Sequence, residues 1–287
     1  MNHKNNTSIN ISIIIGPTAS GKSRHAIKKS QELSGEIVNA DSVQLYSPLP
    51  VLSAIPKKNE LSKCKHHLYG IFDGYNNASA GIWYEKASIV IKEIHSRGKH
   101  PIIVGGTGFY ISALTEGLSE IPEISENTKN YVNNIQKTSD NFHLELEKID
   151  KEISMKINKN DTQRIHRALC VFLETGNSLL FYQNRKKKII NIIPNLEIIN
   201  PKPEMLRDRI KKRLDIMIED GAINEVENFL KECNWNNLSD TFKKTIGLIE
   251  IKRFLKGDIT MDEMKNLIFI KTCQYAKRQR TWIRNKI

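Results

Sequence analysis

Residues 16–23 combine two glycines, a lysine and a hydroxyl at the spacing G-x-x-x-x-G-K-[ST], which is typical of loops that hold phosphate groups. The glycines let such a loop curl until successive backbone N–H groups converge on one anion, and the following helix adds the partial positive charge of its N-terminus. Lys22 adds a full positive charge, and Ser23 offers a hydroxyl to a magnesium ion. The motif predicts a polyphosphate ligand of unspecified identity, although a glycine-rich turn can match it by chance. Its members are Gly16, Pro17, Thr18, Ala19, Ser20, Gly21, Lys22 and Ser23.

Two further reactive side chains follow apolar segments that read as buried strands. Asp41 follows residues 36–40, and Thr107 lies in a Gly-Gly-Thr-Gly turn after residues 101–104. Ligand crevices in open α/β sheets lie at the carboxyl ends of the strands, so both side chains are expected beside the phosphate loop. Asp41 could serve as a metal ligand or a general base, or it could simply cap a helix. Thr107 and the glycines stand where a phosphate-loop NTPase usually has an acid that positions magnesium.

Positive charge is clustered as well as abundant, with a formal net charge of +12. Arg164 and Arg167 share one face of a predicted helix, and residues 274–284 interleave basic residues with Tyr275 and Trp282. This mixture suits phosphate contacts and base stacking, and it favours a nucleic-acid partner. Two alternatives are a merely lysine-rich composition and an amphipathic terminal helix whose aromatic side chains pack inward.

The elements that must position these groups predict an α/β fold. Apolar strand-like segments and glycine-punctuated helices fill residues 1–120 and 189–287, whereas residues 121–188 show mostly helical patterns. We therefore expect a P-loop NTPase-like parallel sheet core with an all-helical insertion domain at 121–188. Ser79 is predicted to cap a core helix that runs to about Arg97.

Location is indicated by what the sequence lacks. No apolar run approaches the ~18 residues of a membrane span, and the polar first ten residues show no secretory signal. The four cysteines are scattered, so neither a zinc site nor a disulfide framework is indicated. A cytoplasmic protein without a membrane partner is expected.

Taken together, five blocks resemble the tRNA dimethylallyltransferase family, also called tRNA isopentenyltransferases. The first block is shared with many NTPases, whereas the other four in this order are highly specific. The blocks are residues 16–23 (GPTASGKS), 41–46 (DSVQLY), 104–110 (VGGTGFY), 160–169 (NDTQRIHRAL) and 274–285 (QYAKRQRTWIRN).

The resemblance implies transfer of a dimethylallyl group from dimethylallyl diphosphate to N6 of an adenosine in tRNA, with help from Mg²⁺. The adenosine lies immediately 3′ of the anticodon in tRNAs that read codons beginning with U. The implied partners are the anticodon stem-loop and dimethylallyl diphosphate, and a monomer is expected.

The resemblance also implies roles for individual residues. Residues 16–23 would bind the diphosphate, with Lys22, Thr107 and Arg213 acting on the leaving group. Asp41 would be the general base for the adenine amine. The positions matching the family's tRNA contacts are Asp41, Ser42, Val43, Gln44, Lys129, Gln163, Arg164, Arg167, Lys277, Arg278, Arg280, Trp282 and Arg284.

Two segments depart from the family pattern, residues 52–56 and residues 247–250, and altered local contacts with tRNA are expected there. Two other functions remain open from the residues. A small-molecule or nucleoside kinase would explain the phosphate loop and Asp41. A non-catalytic RNA-binding protein would explain the basic terminal segment.

Overall fold

The computed structural model describes residues 8–286, so most of the polar N-terminal segment lies outside the described residues. The chain divides into two compact units. The core unit comprises the chain up to Thr115 and the chain from Ile189 onward, and the insertion unit comprises Glu116–Lys188.

The core unit is built on a five-stranded parallel sheet with strand order β3-β2-β4-β1-β7. Its strands are β1 (Ile9–Ile15), β2 (Gly35–Asn39), β3 (His66–His67), β4 (His100–Gly105) and β7 (Ile192–Ile198). Its helices are α1 (Lys22–Glu32), α2 (Pro50–Ser53), α3 (Lys58–Leu61), α4 (Ala80–Ser96), α5 (Gly108–Glu116), α11 (Pro203–Glu219), α12 (Ala222–Glu232), α13 (Asp240–Lys243), α14 (Leu248–Leu255) and α15 (Met261–Lys286), with a 3-10 turn at Trp235–Asn237. The predicted P-loop NTPase-like core is confirmed.

Strand composition explains the sheet. β1 is an isoleucine-rich run whose side chains are almost all buried, as expected for a strand covered on both faces. In the register, Ile15 pairs with Gly105 and Asn39 pairs with Val104, so the three central strands end at the same level. The residues that follow these ends are therefore neighbours.

Helix α4 shows how local signals fix an element. Ser79 caps it by accepting a hydrogen bond from the Ile82 N–H (3.2 Å), as predicted. The Trp83 ring stacks on Tyr110 of α5, with ring centroids 4.6 Å apart. The Trp83 indole N–H donates to the Asn39 carbonyl (2.7 Å), so the helix is joined to the end of β2.

The insertion unit is a small helical cluster around its own core. Its elements are β5 (Leu118–Ser119), α6 (Glu126–Thr138), α7 (Phe142–Ile149), α8 (Lys151–Ser154), α9 (Thr162–Thr175), α10 (Leu179–Gln183) and β6 (Lys186–Lys187). Val132, Leu146 and Ile165 are completely buried in it. Its extended residues are the two-residue strands β5 and β6, which pair in antiparallel fashion where the chain enters and leaves the unit.

Within residues 8–286, no helix is both long enough and apolar enough to cross a bilayer.

Candidate active site

The loop after β1 has the backbone geometry that its glycines permit. Gly21 adopts a φ of +95° and caps α1, and Ala19 also lies in the left-handed region, with a φ of +60°. The Ser20 N–H donates to the Pro17 carbonyl (3.2 Å), which closes the turn. A Cβ on Gly16 would collide with the carbonyl of Ile199, so a larger residue cannot occupy the loop's first position.

Three cationic side chains reach this loop. Lys22 Nζ donates to the Pro17 carbonyl (3.3 Å), and Arg213 Nη1 donates to the Thr18 hydroxyl (3.1 Å). Arg209, one helical turn earlier on α11, donates to the Ser20 carbonyl (2.9 Å). Burial lowers the pKa of Lys22 to about 8, against the opposing effect of Asp41, and Arg213 adds to the lowering. Burial also lowers the pKa of Arg213. The three side chains together concentrate positive charge at this loop.

Asp41 is held rigidly beyond the end of β2. The fully buried Asn39 accepts the Asp41 N–H (2.8 Å) and donates to the Asp41 carbonyl (3.0 Å). Asp41 Oδ1 accepts the Val43 N–H (3.1 Å), which forms a local turn. The carboxylate is close enough to Lys22 and Arg213 to oppose the lowering of both pKa values. The prediction that Asp41 lies beside the phosphate loop is therefore consistent with the charges around it.

Thr107 connects the turn after β4 to the segment after β2. Its Oγ1 accepts the Ser42 N–H (3.0 Å) and lies 3.4 Å from the Ser42 hydroxyl oxygen. Its backbone N–H donates to the Ala40 carbonyl (3.2 Å). A Cβ on Gly105 would collide with the Ala40 backbone, so this turn needs glycine to approach so closely.

One face of α15 packs on the same turn. Gln279 is 5% exposed and hydrogen-bonds both to the phosphate loop and to Gly106. A Cβ on Gly108 would collide with the ring of Trp282. Burial raises the pKa of Tyr275 far above its usual value, and this side chain lies near Thr107 and Gln279. Tyr275 therefore packs inward, as expected for the amphipathic terminal helix named above as an alternative to base stacking. At least one edge of the Trp282 ring also packs inward.

The other face of α15 is exposed and basic. A surface groove along it is lined by Gln274, Lys277, Arg278, Thr281, Trp282, Asn285 and Lys286. Lys277, Arg278 and Arg284 are exposed, whereas Arg280 donates to the Asn200 side chain (3.0 Å). A positively charged helix face with one aromatic ring suits a nucleic-acid backbone.

Ser42, Val43 and Gln44 are half-buried, and each takes part in local structure. Gln44 Nε2 donates to the carbonyls of Ser53 (3.2 Å) and Ala54 (2.6 Å), which ties this segment to the end of α2. This segment is therefore a rigid surface rather than a free loop.

In the insertion unit, Gln163, Arg164 and Arg167 are all exposed on α9. Arg164 pairs with the capping residue Asp161 (3.1 Å), and Lys129 on α6 pairs with Glu126 (2.6 Å). Burial raises the pKa of Cys170, whereas Arg167 and Lys129 both act to lower it, so the two cations lie near one another.

The structure thus brings the phosphate loop, Lys22 and Arg213 together. Asp41 and Thr107 follow the neighbouring strand ends. It adds three residues that sequence reasoning did not assign to the site: Arg209, Tyr275 and Gln279. The available signals were the spacing of Arg209 and Arg213 by one helical turn and the repeat of Tyr275, Gln279 and Trp282 along one helix face.

A magnesium ion prefers hard oxygen ligands. No group of three His, Cys, Asp or Glu side chains in the described part of the chain could hold a metal ion. Ser23, by contrast, is exposed at the first turn of α1, and its hydroxyl is the kind of hard oxygen ligand that Mg²⁺ prefers. The Ser23 hydroxyl is therefore the group at this loop that fits a magnesium ion.

Two tRNA dimethylallyltransferases are similar to this chain over nearly its whole length. The tRNA dimethylallyltransferase of Rickettsia conorii is 40% identical over 293 residues, covering 99% of this chain and 79% of the relative. That of Pelagibacter ubique is 41% identical over 280 residues, covering 96% of this chain and 89% of the relative.

Solved structures agree. A eukaryotic dimethylallyltransferase, crystallised while acting on tRNA, matches with a TM-score of 0.82 and 27% identity, covering 96% of this chain and 70% of that one. The tRNA isopentenylpyrophosphate transferase of Staphylococcus epidermidis matches with a TM-score of 0.67 and 32% identity, covering 98% of this chain and 91% of that one. The family model described as IPP transferase matches residues 44–286. The chain belongs to the IPP transferase family.

Proposed function

We propose that this protein transfers a dimethylallyl group from dimethylallyl diphosphate to N6 of the adenosine immediately 3′ of the anticodon, in tRNAs that read codons beginning with U. The products are N6-(dimethylallyl)adenosine and diphosphate. The observation that carries the proposal is the site itself: a phosphate loop surrounded by three cations, with Asp41 and Thr107 at the ends of adjacent strands. The names of the relatives support the same reaction, and none of those reported above is a kinase.

The leaving group accounts for the cations. When the bond between the allylic carbon and the diphosphate oxygen breaks, negative charge develops on the diphosphate. Preorganised donors aimed at such a charge supply much of the catalytic effect. Lys22 and Arg213 would bind the diphosphate, and residues 16–23 would cradle it with backbone N–H groups. Thr107 would act near the departing oxygen.

Mg²⁺ would be bound by the Ser23 hydroxyl together with oxygens of the diphosphate. Its chemical contribution is to neutralise negative charge on the leaving group.

The acceptor accounts for Asp41. The exocyclic amine of adenine is weakly nucleophilic, because its lone pair is delocalised into the ring. As the bond from N6 to the allylic carbon forms, one N6 proton passes to the Asp41 carboxylate. The hydrogen bond from the Val43 N–H orients that carboxylate, and Asn39 holds the Asp41 backbone in place. The adenosine must leave its stack to reach this position, and Ser42, Val43 and Gln44 would meet it.

The tRNA would be held by exposed basic side chains. In the core unit these are Lys277, Arg278 and Arg284, with Arg280 and Trp282 beside them. In the insertion unit they are Lys129, Arg164 and Arg167, with Gln163. The partner would be the anticodon stem-loop, and the protein would act as a monomer.

The proposed reaction is tested by measuring which labelled substrate transfers its label, and to which acceptor. The protein is incubated with Mg²⁺, unmodified tRNA and either labelled dimethylallyl diphosphate or labelled ATP. We expect label from dimethylallyl diphosphate to enter tRNA at the position next to the anticodon. Transfer from ATP to a small acceptor would instead indicate a kinase, and tight RNA binding without any transfer would indicate an RNA-binding protein.

Salt dependence tests the tRNA surface. Alanine at Arg164, Arg167, Lys277 or Arg284 should each flatten the plot of log affinity against log salt by about one unit, because each contact with a phosphate releases about one counterion. The measurement is tRNA affinity between low and moderate salt. Lys148→Ala is the control, because it removes an exposed lysine of the insertion unit that pairs with Glu145. An unchanged slope in all four variants would place the RNA surface elsewhere.

A further inference from the structure

A single buried amide joins the two loops of the site. The Thr18 N–H of the phosphate loop donates to Gln279 Oε1 (2.8 Å), and Gln279 Nε2 donates to the Gly106 carbonyl (3.0 Å). Gln279 lies 261 residues from Thr18 and 173 residues from Gly106 in the sequence. Helix α15 therefore links two loops that are far apart in the sequence but lie side by side at the carboxyl ends of the strands. At 5% exposure the side chain is shielded from water.

The chemistry of this link needs glutamine. One end of the side chain accepts a hydrogen bond and the other end donates one, which is the capacity of a neutral amide. A carboxylate would lose the donation to Gly106, and an aliphatic side chain would leave both backbone groups unpaired in a buried place. Leaving such groups unpaired is costlier than the net gain from an ordinary hydrogen bond.

The packing around the link shows that the two loops are fitted to it. A Cβ on Gly106 would collide with Gln279 Nε2, so this glycine is required by the amide that approaches it. Three residues further along α15, Trp282 approaches Gly108 just as closely. Thr107 lies between these two glycines, and its backbone position is therefore set on both sides by α15.

From this geometry we propose that Gln279 is a positioning residue that fixes the spacing between the phosphate loop and the turn carrying Thr107. The residue contacts neither the diphosphate nor the adenine. It acts through Thr18 and Gly106. By holding these two residues at a fixed spacing, it lets the anion-binding N–H groups and the Thr107 hydroxyl contact the same diphosphate. Its role in the reaction rests on the proposed prenyl transfer, whereas its role in shaping the anion site does not.

The first test uses Gln279→Met, which keeps the volume of the side chain and removes both hydrogen bonds. Inorganic diphosphate with Mg²⁺ is the probe, measured by calorimetry on the full chain. We expect its dissociation constant to rise about tenfold, and turnover with saturating dimethylallyl diphosphate to fall about 10- to 100-fold, the range typical for losing a group that orients a site. The affinity for tRNA should be unchanged.

The matched control is Ile283→Ala, which removes a buried side chain one helical turn beyond Gln279 on the same helix. It should lower the unfolding midpoint and leave the diphosphate affinity of the folded protein as it was. If Gln279→Met lowers the midpoint but binds diphosphate like the wild type, Gln279 only stabilises the fold and the proposal is wrong.

A second test uses the contact with Gly106. Gly106→Ala should displace the amide and weaken diphosphate binding about as much as Gln279→Ala does. The double variant should then be no weaker than Gln279→Ala alone, because the colliding atoms are gone. If the double variant instead loses diphosphate affinity by the product of the two single-variant factors, the proposal is wrong. A wild-type protein that binds diphosphate but transfers no prenyl group would contradict the proposed function, and the affinities would still decide the role of Gln279.

Discussion

Replacing Asp41 with alanine is expected to lower the rate of dimethylallyl transfer by about 10²-fold or more, which is the usual contribution of a general base. Asp41 follows β2; its carboxylate accepts the Val43 N–H, and Asn39 holds its backbone. It is close enough to Lys22 and Arg213 for its charge to influence both. Transfer is followed with labelled dimethylallyl diphosphate under single-turnover conditions, so that product release does not mask the chemical step.

Asp41→Asn is the sharper variant, because its side-chain oxygen can still accept the Val43 N–H and keep the turn. It cannot take a proton from the adenine amine, so the loss should match that of Asp41→Ala. The affinity for tRNA should survive in both variants. If Asp41→Asn transfers at nearly the wild-type rate while Asp41→Ala does not, the role of Asp41 is to shape the turn, and the base must be another group.

The fold and the central site residues were predictable because local patterns specified them. An isoleucine run followed by the loop of residues 16–23 predicts a strand, a turn and a helix, and the structure has β1, that loop and α1. The position of Asp41 followed from the rule that ligand sites lie at the carboxyl ends of parallel strands. The rule holds here because the register of β1, β2 and β4 brings the carboxyl ends of the three strands to the same level.

Contacts between distant segments were not predictable in this way. Gln279 lies in a segment whose lysines and arginines favour RNA binding, and nothing local marks it as a side chain that reaches the phosphate loop. Arg209 shares a helix with four other basic residues, so only the three-dimensional structure separates it from those in solvent. The orientation of α15 decides which of its residues face the site, and tertiary packing sets that orientation.

The edge strand shows the limit of pattern reading. The apolar-rich run of residues 196–199 (LEII) predicts a short strand there, whereas β7 begins at Ile192 and contains Pro194. Among the strands of residues 8–286, β7 pairs with β1 alone, and an edge strand tolerates a proline because one side of it needs no hydrogen-bond partner. The sequence also does not predict the antiparallel pair of β5 and β6. Each of these strands has two residues, which is too short to show the alternation of apolar and polar side chains that indicates a strand.

Removal of the charge on Lys22 is expected to have two opposite effects. Lys22→Met should weaken the binding of inorganic diphosphate and lower kcat/KM for dimethylallyl diphosphate by about 10²- to 10³-fold, the loss typical of removing one charge-stabilising donor. The same change should make the ligand-free protein more stable at pH 7. Burial lowers the pKa of Lys22 to about 8, which means that folding penalises the ammonium form.

The sign of the pH dependence follows from that shift. Below pH 8 the lysine is charged in both states, and the folded protein bears the full penalty. Between about pH 8 and 10.5 the folded state loses its proton before the unfolded state does, so the penalty fades as pH rises. The stability advantage of Lys22→Met over the wild type should therefore be largest at pH 7 and shrink towards pH 10. Denaturant unfolding of both proteins without ligand or metal measures it. Lys28→Met, on an exposed position of α1, is the control and should change neither stability nor diphosphate binding. A Lys22→Met protein that is less stable than the wild type at pH 7 would show that the contacts of the lysine outweigh the cost of burying its charge.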